Sequence, residues 1–506
     1  MDSLSNLFLG FGIALTLYNV LIASVGVFLG IIIGILPGLG GTSGVAILLP
    51  LTFVMAPTSA IIFLTSIYWG ALFGGVITSI LFNIPGEPWS VAATFDGYPM
   101  AKQGRAGYAL SLAFIGGFFA SLVSIILFSF FAPPLAELAL QFGPPEYFAV
   151  MLLAFSTFVG LGGGSAIKNL TAALIGFLLA SVGLDIVTGT PRLTFDSIAL
   201  LSGFNFVTVC IGLFGIGEIL ISAEEALEFK GQQGKIGIKD VVLTIADTFR
   251  SWVTWLTGTL LGFWVGVLPG TGATPASFMA YGMARQYSRQ PEKFGTGITE
   301  GLLSTQSAAQ AAGIGSLLPL VTLGVPGSPT AAVMLGGLYI WGLQPGPLLF
   351  IEKPDFVWGL MASMYVGNVI GLLMCLLLVP FFTMILRIPY AILAPVIVLI
   401  SSVGAYAVNN RLVDVWLMLL FGVVGYVFKK IQIPLAPLVI ALVLGDMTET
   451  ALRQSFIMSH GSLAIFFTRP ISAACTTIAI MLFIFPTLRL MVPWMRERLW
   501  VPQGGG

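Results

Sequence analysis

Charged residues are scarce in this sequence. Only 8% of its 506 residues are Asp, Glu, Lys or Arg, whereas a soluble domain carries about 25%. The hydrophobic fraction is 57%, and the mean hydropathy is +1.01. A single soluble core cannot bury so much apolar surface. The composition therefore excludes an ordinary soluble protein and predicts a chain that lies in a lipid bilayer.

Histidine, cysteine and net charge are also sparse. The chain has one His and three separated Cys, so it shows neither a disulfide framework nor metal-ligand spacing. Its 21 basic and 21 acidic residues cancel, which excludes the basic surface that nucleic-acid binding requires. We predict no cofactor, no resident metal and no nucleic-acid partner.

Long apolar runs are abundant. A helix needs about 20 apolar residues to cross the hydrocarbon core, and residues 109–131 and 471–490 are two such stretches. This length rule predicts roughly 10 to 12 membrane segments, several of them broken by Gly and Pro. The predicted fold class is an all-α polytopic membrane protein.

Two motifs each occur twice, in the same order. Gly-Ile-Leu-Pro-Gly-Leu-Gly-Gly-Thr begins at Gly34, and Gly-Val-Leu-Pro-Gly-Thr-Gly-Ala-Thr begins at Gly266, 232 positions later. Asn-Ile-Pro-Gly-Glu-Pro begins at Asn83, and Gly-Val-Pro-Gly-Ser-Pro begins at Gly324, 241 positions later. The ordered pair predicts two related halves. We assign residues 1–222 and 251–468 to the repeats, 223–250 to a cytoplasmic connecting segment, and 469–506 to a final transmembrane helix and cytoplasmic tail.

Lys and Arg in short loops predict the orientation, because such loops stay on the cytoplasmic side. The connecting segment and the tail are basic and are predicted to be cytoplasmic; their bases are Lys230, Lys235, Lys239, Arg250, Arg489, Arg496 and Arg498. The N-terminus carries Asp2 and no base, so we predict that it is periplasmic. In three pairs of equivalent loops, one loop contains Lys or Arg and the other has almost none. The loop with the basic residues alternates between the first and the second half. This alternation predicts inverted repeats with helices or hairpins broken at Pro-Gly.

The Pro-Gly breaks are the predicted binding sites. A break leaves backbone groups unpaired, and in a bilayer this is tolerated only inside protein or beside a wet cavity. A helix N-terminus at the break can bind an anion, and exposed carbonyls could hold a coupling cation such as Na⁺. The predicted substrate- and ion-binding residues are Gly38, Gly40, Gly41, Thr42, Ser43, Asn83, Pro85, Gly86, Gly270, Thr271, Gly272, Ala273, Thr274, Gln306, Pro326, Gly327 and Ser328. Two other interpretations stay open, namely that the breaks are ordinary turns and that Asn83 is a helix cap.

Other acidic residues allow separate interpretations. Glu218 and Glu300 are acids in or near the membrane, so a functional role is the first hypothesis and an interface role the second. Asp96-Gly-Tyr-Pro is predicted to be a loop turn with a charged rim.

Longer stretches resemble a known family. They begin at Gly34 (through Phe53), Asn83, Asp96 (Asp-Gly-Tyr-Pro-Met-Ala-Lys-Gln-Gly-Arg-Ala-Gly), Leu323 (Leu-Gly-Val-Pro-Gly-Ser-Pro-Thr-Ala-Ala-Val-Met-Leu-Gly) and Gly342 (Gly-Leu-Gln-Pro-Gly-Pro). They are similar to the large membrane subunit of the bacterial tripartite tricarboxylate transporters. The resemblance implies a bacterial inner-membrane location, a small membrane subunit and a periplasmic substrate-binding protein as partners. It also implies uptake of tricarboxylates, dicarboxylates or aromatic acids, driven by a Na⁺ or H⁺ gradient. The absence of a phosphate-binding loop motif agrees with a gradient-driven rather than an ATP-driven mechanism.

The chain departs from this family at one place. Family members usually carry Pro-Glu-Ala-Ala-Asn-Asn before the second break, whereas this sequence has Thr-Gln-Ser-Ala-Ala-Gln from Thr305. The acid is replaced by Gln306, and the paired amides by Ala309 and Gln310. The identity of the transported acid therefore stays open.

The predicted function is the permease subunit of a binding-protein-dependent secondary transporter that imports small organic carboxylates by alternating access. The chain is predicted not to be an enzyme. Two alternatives remain. One is an intramembrane serine protease, because Gly41-Thr-Ser-Gly matches a short protease pattern and His460 could be its base. The other is a passive anion channel.

Overall fold

The computed structural model describes residues 3–36, 38–161, 165–185, 189–225, 236–385 and 390–499. The first part of this region contains ten α-helices: α1 (Ser3–Ala14), α2 (Leu17–Ile35), α3 (Gly40–Leu48), α4 (Pro57–Phe82), α5 (Val91–Met100), α6 (Ala106–Ala139), α7 (Pro144–Leu161), α8 (Ala166–Ala180), α9 (Phe206–Cys210) and α10 (Gly217–Glu225). The second part contains α11 (Ile238–Arg250), α12 (Trp252–Val267), α13 (Ala273–Tyr287), α14 (Thr299–Gly315), α15 (Leu317–Leu323), α16 (Pro329–Ile340), α17 (Leu349–Glu352), α18 (Pro354–Ile385), α19 (Tyr390–Asn409), α20 (Leu412–Lys430), α21 (Leu435–Met458), α22 (Ile465–Thr468) and α23 (Pro470–Leu499).

Shorter elements join these helices. Two π-helical segments, Ala101–Arg105 and Ile211–Ile216, make α5–α6 and α9–α10 nearly continuous. The strands β1 (Gly183–Leu184) and β2 (Pro191–Arg192) pair antiparallel in a small hairpin. The 3₁₀ turns are Leu49–Val54, Pro88–Ser90, Ile198–Leu200 and Pro291–Lys293.

The fold-class prediction is confirmed, since the described chain is helical and its longest helices are apolar. Within the described residues, eight helical stretches are long and apolar enough to cross a bilayer: Leu17–Ile35, Pro57–Phe82, Pro88–Ala139, Phe206–Glu224, Pro354–Met384, Ile392–Asn409, Leu412–Lys430 and Leu435–Met458. The described region contains five further apolar helical stretches of 10–17 residues, together with the apolar first part of α23. Eight is fewer than the 10 to 12 segments predicted for the whole chain, in part because the breaks divide apolar runs into shorter helices such as Pro329–Ile340.

Glycines bring the helices next to each break into close contact. A Cβ atom added to Gly30 on α2 would lie 2.2 Å from the carbonyl oxygen of Ile67 on α4. A Cβ atom added to Gly262 on α12 would lie 2.3 Å from the carbonyl oxygen of Ala308 on α14. Helix backbones can approach this closely only where a residue lacks a side chain. The α2–α4 pair and the α12–α14 pair therefore pack in the same way.

The two contacts repeat with the same offsets as the sequence motifs. Gly262 follows Gly30 by 232 positions, and Ala308 follows Ile67 by 241 positions. The backbone shows the same correspondence, because Asn83 ends α4 with φ +58° and its counterpart Gly324 ends α15 with φ +72°. This agreement supports a structural repeat. The boundaries of the halves and their inverted orientation stay predictions.

A substitution can test the glycine packing. Gly262→Ala is expected to destabilise the chain by about 2 kcal/mol, as is typical of overpacking, since the new methyl would clash with the α14 backbone. Gly282→Ala on α13 is the matched control, because no atom lies within 4 Å of the position that its new Cβ would take. Thermal unfolding of the purified protein in detergent measures both. Equal melting temperatures for the two variants would contradict the close approach.

The connecting segment between the proposed halves contains a helix. Residues 226–235, with Lys230 and Lys235, lie outside the described region. The following helix α11 packs its polar face on α6, where Tyr108 donates to Asp247 (2.7 Å) and the hydroxyls of Ser111 and Thr244 are 2.8 Å apart. The opposite face of α11 exposes large apolar side chains, namely Ile238, Val242, Leu243 and Phe249. A contiguous set of exposed apolar side chains is typical of a surface that contacts lipid or another protein.

The structure corrects the interpretation of Asp96. The prediction of a loop turn with a charged rim is wrong, because Asp96 lies in α5 and is fully buried. Its Oδ1 accepts hydrogen bonds from the backbone amides of Gly295 (2.9 Å), Gly297 (2.8 Å) and Ile298 (3.0 Å), just before α14. Its Oδ2 accepts from the Tyr281 hydroxyl (3.0 Å). Asp96 therefore joins α5 to the start of α14.

Candidate functional site

The first Pro-Gly break folds into a sharp turn between α2 and α3. Gly38 has φ +86° and Gly40 has φ +53°, a region of backbone conformation that favours glycine. The amide of Gly38 donates to the carbonyl of Gly86, at a distance of 3.3 Å. Pro37 lies outside the described residues. The two breaks of the first half are thus in direct contact, and α3 begins where they meet.

The second Pro-Gly break repeats this arrangement. Gly270 has φ +82° and Gly272 has φ +64°. The amide of Gly272 donates to the carbonyl of Gly327, at a distance of 3.2 Å. Helix α13 begins at Ala273, immediately after this contact. Each half therefore ties its first break to its second and starts a helix there.

A cavity of about 510 Å³ lies between the two pairs of breaks. Seven predicted site residues line it: Thr42, Gly270, Thr271, Gly272, Ala273, Thr274 and Ser328. Residues outside the prediction complete the wall, among them Tyr68, Glu87, Trp89, Asn169, Phe278, Thr330, Pro434 and Pro437. The wall contains both apolar surface and convergent hydroxyl groups, which is the composition of a small-molecule site.

Glu87 supplies the charge in this cavity. None of the described residues that line it is Lys, Arg or His, and Glu87 is the one acid. Its Oε1 accepts a hydrogen bond from the backbone amide of Gly41 (2.8 Å) in the first turn of α3. The N-terminal end of a helix favours a carboxylate, because its free amides and dipole are positive. A protein carboxylate therefore binds the N-terminal end of α3, which we call the first tip. The N-terminal end of α13, at Ala273, is the second tip.

Hydroxyl groups connect the two halves across the cavity. Thr42 on α3 and Thr330 on α16 have their Oγ1 atoms 2.8 Å apart. The Tyr68 hydroxyl, on α4, interacts with Ser328 and Thr330 and lies in the electrostatic field of Glu87. Tyr68 thus shares the cavity wall with the acid of the first half and the hydroxyls of the second.

Ser328 takes the place of Glu87 in the second half. The motifs align Pro-Gly-Glu-Pro with Pro-Gly-Ser-Pro, so residue 328 corresponds to residue 87. The Ser328 side chain caps α16 by accepting from the Ala331 amide (3.1 Å), and its Oγ lies 3.1 Å from that of Ser316. The Ala273 amide, which corresponds to that of Gly41, consequently receives no carboxylate from this motif.

The other predicted residues of the breaks do not line the cavity. Ser43 is buried and donates to the Phe214 carbonyl (2.9 Å), away from the tips. Asn83 is exposed and caps α4, so its alternative interpretation as a helix cap is the one the structure supports. The remaining members form the backbone of the breaks behind the cavity; they are Gly38, Gly40, Gly41, Pro85, Gly86, Pro326 and Gly327.

Gln306 lies away from the cavity. It is fully buried on α14, and its side-chain nitrogen would contact a Cβ atom added to Gly117 on α6. Within the described residues, both polar atoms of its side chain lack a hydrogen-bond partner. Its neighbour Gln310 accepts a hydrogen bond from Ser121 (3.3 Å). The stretch that departs from the family pattern therefore packs against α6.

The acids singled out in the sequence have protein partners. Glu218 forms an ion pair with Lys429, and the pair lies behind the first tip, next to Gly38. Glu300 accepts a hydrogen bond from Ser288 (2.9 Å) at the start of α14. These contacts favour the interface interpretation for both residues.

Sequence reasoning missed several polar residues of the cavity wall, among them Glu87, Tyr68 and Asn169. Glu87 carried a usable signal, because it is an acid inside the repeated motif at a helix break. Tyr68 and Asn169 carried none, since they lie on helices whose positions depend on packing between distant segments.

Two broken elements that meet at a cavity inside a bundle with several membrane-length helices are typical of membrane transporters. Residues 20–440 match the family model described as "Tripartite tricarboxylate transporter TctA family". The chain belongs to this family.

Two relatives come from Agrobacterium vitis. A protein described as "Uncharacterized 52.8 kDa protein in TAR-I ttuC' 3'region" is 40% identical over 491 residues, which cover 95% of this chain and 97% of that protein. A second, "Uncharacterized protein in TAR-II ttuC' 3'region", is 37% identical over 231 residues, which cover 45% of this chain and 96% of that protein. No solved structure matches.

Proposed function

We propose that this chain is the permease subunit of a binding-protein-dependent secondary transporter that imports small organic carboxylates. The cavity between the two tips carries the proposal, because it joins helix N-termini, hydroxyl groups and apolar wall in one place. The family membership supports a tripartite system. Such a system would supply a small membrane subunit and a periplasmic binding protein as partners.

By analogy with the first tip, which binds a protein carboxylate, we propose that the second tip, at the start of α13, binds a carboxylate of the solute. The helix N-terminus at the first tip already holds a carboxylate, that of Glu87, through the amide of Gly41. The second break has left-handed glycines at the corresponding positions, and one of its glycine amides, that of Gly272, likewise donates to the glycine carbonyl of its partner break. Its motif carries Ser328 in place of the acid. The carboxylate of a solute would bind the Ala273 end of α13, beside the hydroxyls of Thr274 and Ser328.

The transport cycle follows from the two halves. Each half presents a tip to one shared cavity, and alternating access would expose that cavity to the periplasm and the cytoplasm in turn. A Na⁺ or H⁺ gradient would drive accumulation. The chain would reside in the bacterial inner membrane, with a periplasmic N-terminus and a cytoplasmic C-terminus, as the basic loops indicate.

The protease alternative is disfavoured by the position of its nucleophile. Ser43 is buried and donates to a backbone carbonyl, while His460 is exposed in the turn after α21. Nucleophilic catalysis requires the base to accept the proton of the serine hydroxyl. The chain therefore acts without covalent chemistry in this proposal.

Uptake by sealed vesicles tests the proposed function. The purified chain, with its small subunit and binding protein, is reconstituted and given labelled citrate, succinate or benzoate under an inward Na⁺ gradient, an inward H⁺ gradient or neither. Accumulation of at least one acid above the outside concentration, dependent on a gradient, is the expected result. Equilibration without accumulation would indicate a channel. No flux of any acid, with the binding protein shown to be loaded, would overturn the proposal for these solutes.

A further inference from the structure

Glu87 presents an electrostatic problem for an anion carrier. A solute carboxylate at the α13 tip would share a cavity of about 510 Å³ with the Glu87 carboxylate. The described wall offers no basic side chain to balance the two charges. Like charges that share a poorly solvated site oppose ionisation of both, so one of them must acquire a cation.

We infer that Glu87 carries the coupling proton, taking it up when the solute carboxylate binds and releasing it on the cytoplasmic side. This inference rests on the proposed function and names the ion-binding group of the same site. Protonation removes one negative charge from the cavity, so the loaded site carries only the charge of the solute. The step is a proton transfer alone, and no covalent bond of the solute forms or breaks.

The surroundings of Glu87 suit this role. Of the described residues that line the cavity, only Tyr68 is also titratable. The segments that carry Thr42 and residues 270–275 contribute no charged group to the wall. Gly41 donates to Oε1, which leaves Oε2 as the oxygen for a proton. A proton on Oε2 preserves the hydrogen bond that orients the side chain.

The repeat adds an independent reason to assign the proton to this residue. The two halves supply matching tips, but only the first half places an acid at the end of its second break, because Ser328 replaces it in the other. This asymmetry gives the cavity one carboxyl group, that of Glu87, for each solute bound at the α13 end. Because Glu87 is the one carboxyl group among the described residues that line this cavity, we expect one proton to be carried in each cycle.

The test compares the wild type with Glu87→Gln in the reconstituted tripartite complex. In the wild type, a proton gradient of one pH unit (acid outside, membrane potential clamped) should raise the limiting accumulation of labelled citrate, succinate or benzoate by up to about tenfold. Gln keeps an oxygen that accepts from Gly41 and imitates the protonated acid. Glu87→Gln should therefore retain exchange of labelled for unlabelled solute but lose gradient-driven accumulation. Glu352→Gln, an exposed acid outside the cavity, is the matched control and should behave as the wild type.

A binding measurement keeps the inference testable if a variant transports poorly. Proton uptake by the detergent-solubilised complex in weak buffer should approach one per solute bound in the wild type and zero in Glu87→Gln. Gradient-driven accumulation by Glu87→Gln at the wild-type level would overturn the inference and leave the proposed function intact. Wild-type accumulation driven by Na⁺ alone, indifferent to pH, would also overturn it. Failure of the wild type to move any of the acids would remove the proposed function as well.

Discussion

Replacing Ser328 with glutamate is expected to abolish carboxylate uptake. The new side chain stands where Glu87 stands in the first half, so its carboxylate can reach the Ala273 amide as Glu87 reaches that of Gly41. It would occupy the proposed solute position and place a second acid in a cavity whose described wall has no base. Burying an unpaired charge costs several kcal/mol, so uptake should fall by about 100-fold or more. Initial uptake rates in reconstituted vesicles measure the effect.

A neutral variant separates charge from size in this experiment. Ser328→Gln is nearly isosteric with Ser328→Glu and also loses the hydroxyl that caps α16. It should keep a measurable fraction of uptake, because it brings no competing charge. Both variants should elute as the wild type in size-exclusion chromatography. Equal uptake by Ser328→Glu and Ser328→Gln would show that a carboxylate at this tip does not compete with the solute.

Replacing Asp96 with alanine is expected to cause the largest loss of stability. The substitution leaves the backbone amides of Gly295, Gly297 and Ile298 without the carboxylate that accepts from them. A hydrogen bond to a charged group contributes about 1.5–3 kcal/mol, so the loss of those made by the fully buried Asp96 should cost about 3 kcal/mol or more. Thermal unfolding in detergent measures it. Asp96→Asn should lie between the alanine variant and the wild type, since it keeps one acceptor oxygen.

An exposed acid provides the control for this prediction. Asp355 lies in the first turn of α18 and is exposed. Asp355→Ala should therefore change the melting temperature only slightly. A melting temperature of Asp96→Ala that equals that of Asp355→Ala would contradict the role of Asp96 in joining α5 to α14.

Local sequence rules predicted the helical membrane fold and the breaks, because both depend on nearby residues. Apolar run length predicts a membrane helix, and Pro-Gly predicts its interruption. The same rules misplaced Asp96. Its Asp-Gly-Tyr-Pro sequence resembles a turn, but three amides from a segment about 200 residues away hold it inside the protein. Contacts of this range leave no local signal.

The site was predicted in part for the same reason. Thr274 and Ser328 lie in repeated motifs, and the cavity contains both. Ser43 shares the first motif with Thr42, but one helical step turns it toward Phe214 and away from the cavity. Tyr68 and Asn169 reach the cavity from α4 and α8, so only the packed structure reveals them. Motif membership thus identified the breaks, and side-chain direction decided which of their residues face the cavity.

Protection of a single cysteine tests the location of the solute most directly. Cys210, Cys375 and Cys475 are first replaced, and Thr274→Cys is then introduced at the cavity end of α13. Gly282→Cys, exposed further along the same helix, serves as the control. If the solute binds at this end of α13, a transported carboxylate should slow modification of Cys at 274 by a polar thiol reagent, with half-protection near its transport KM, and leave the control unchanged. Equal modification rates with and without saturating solute would place the binding site elsewhere.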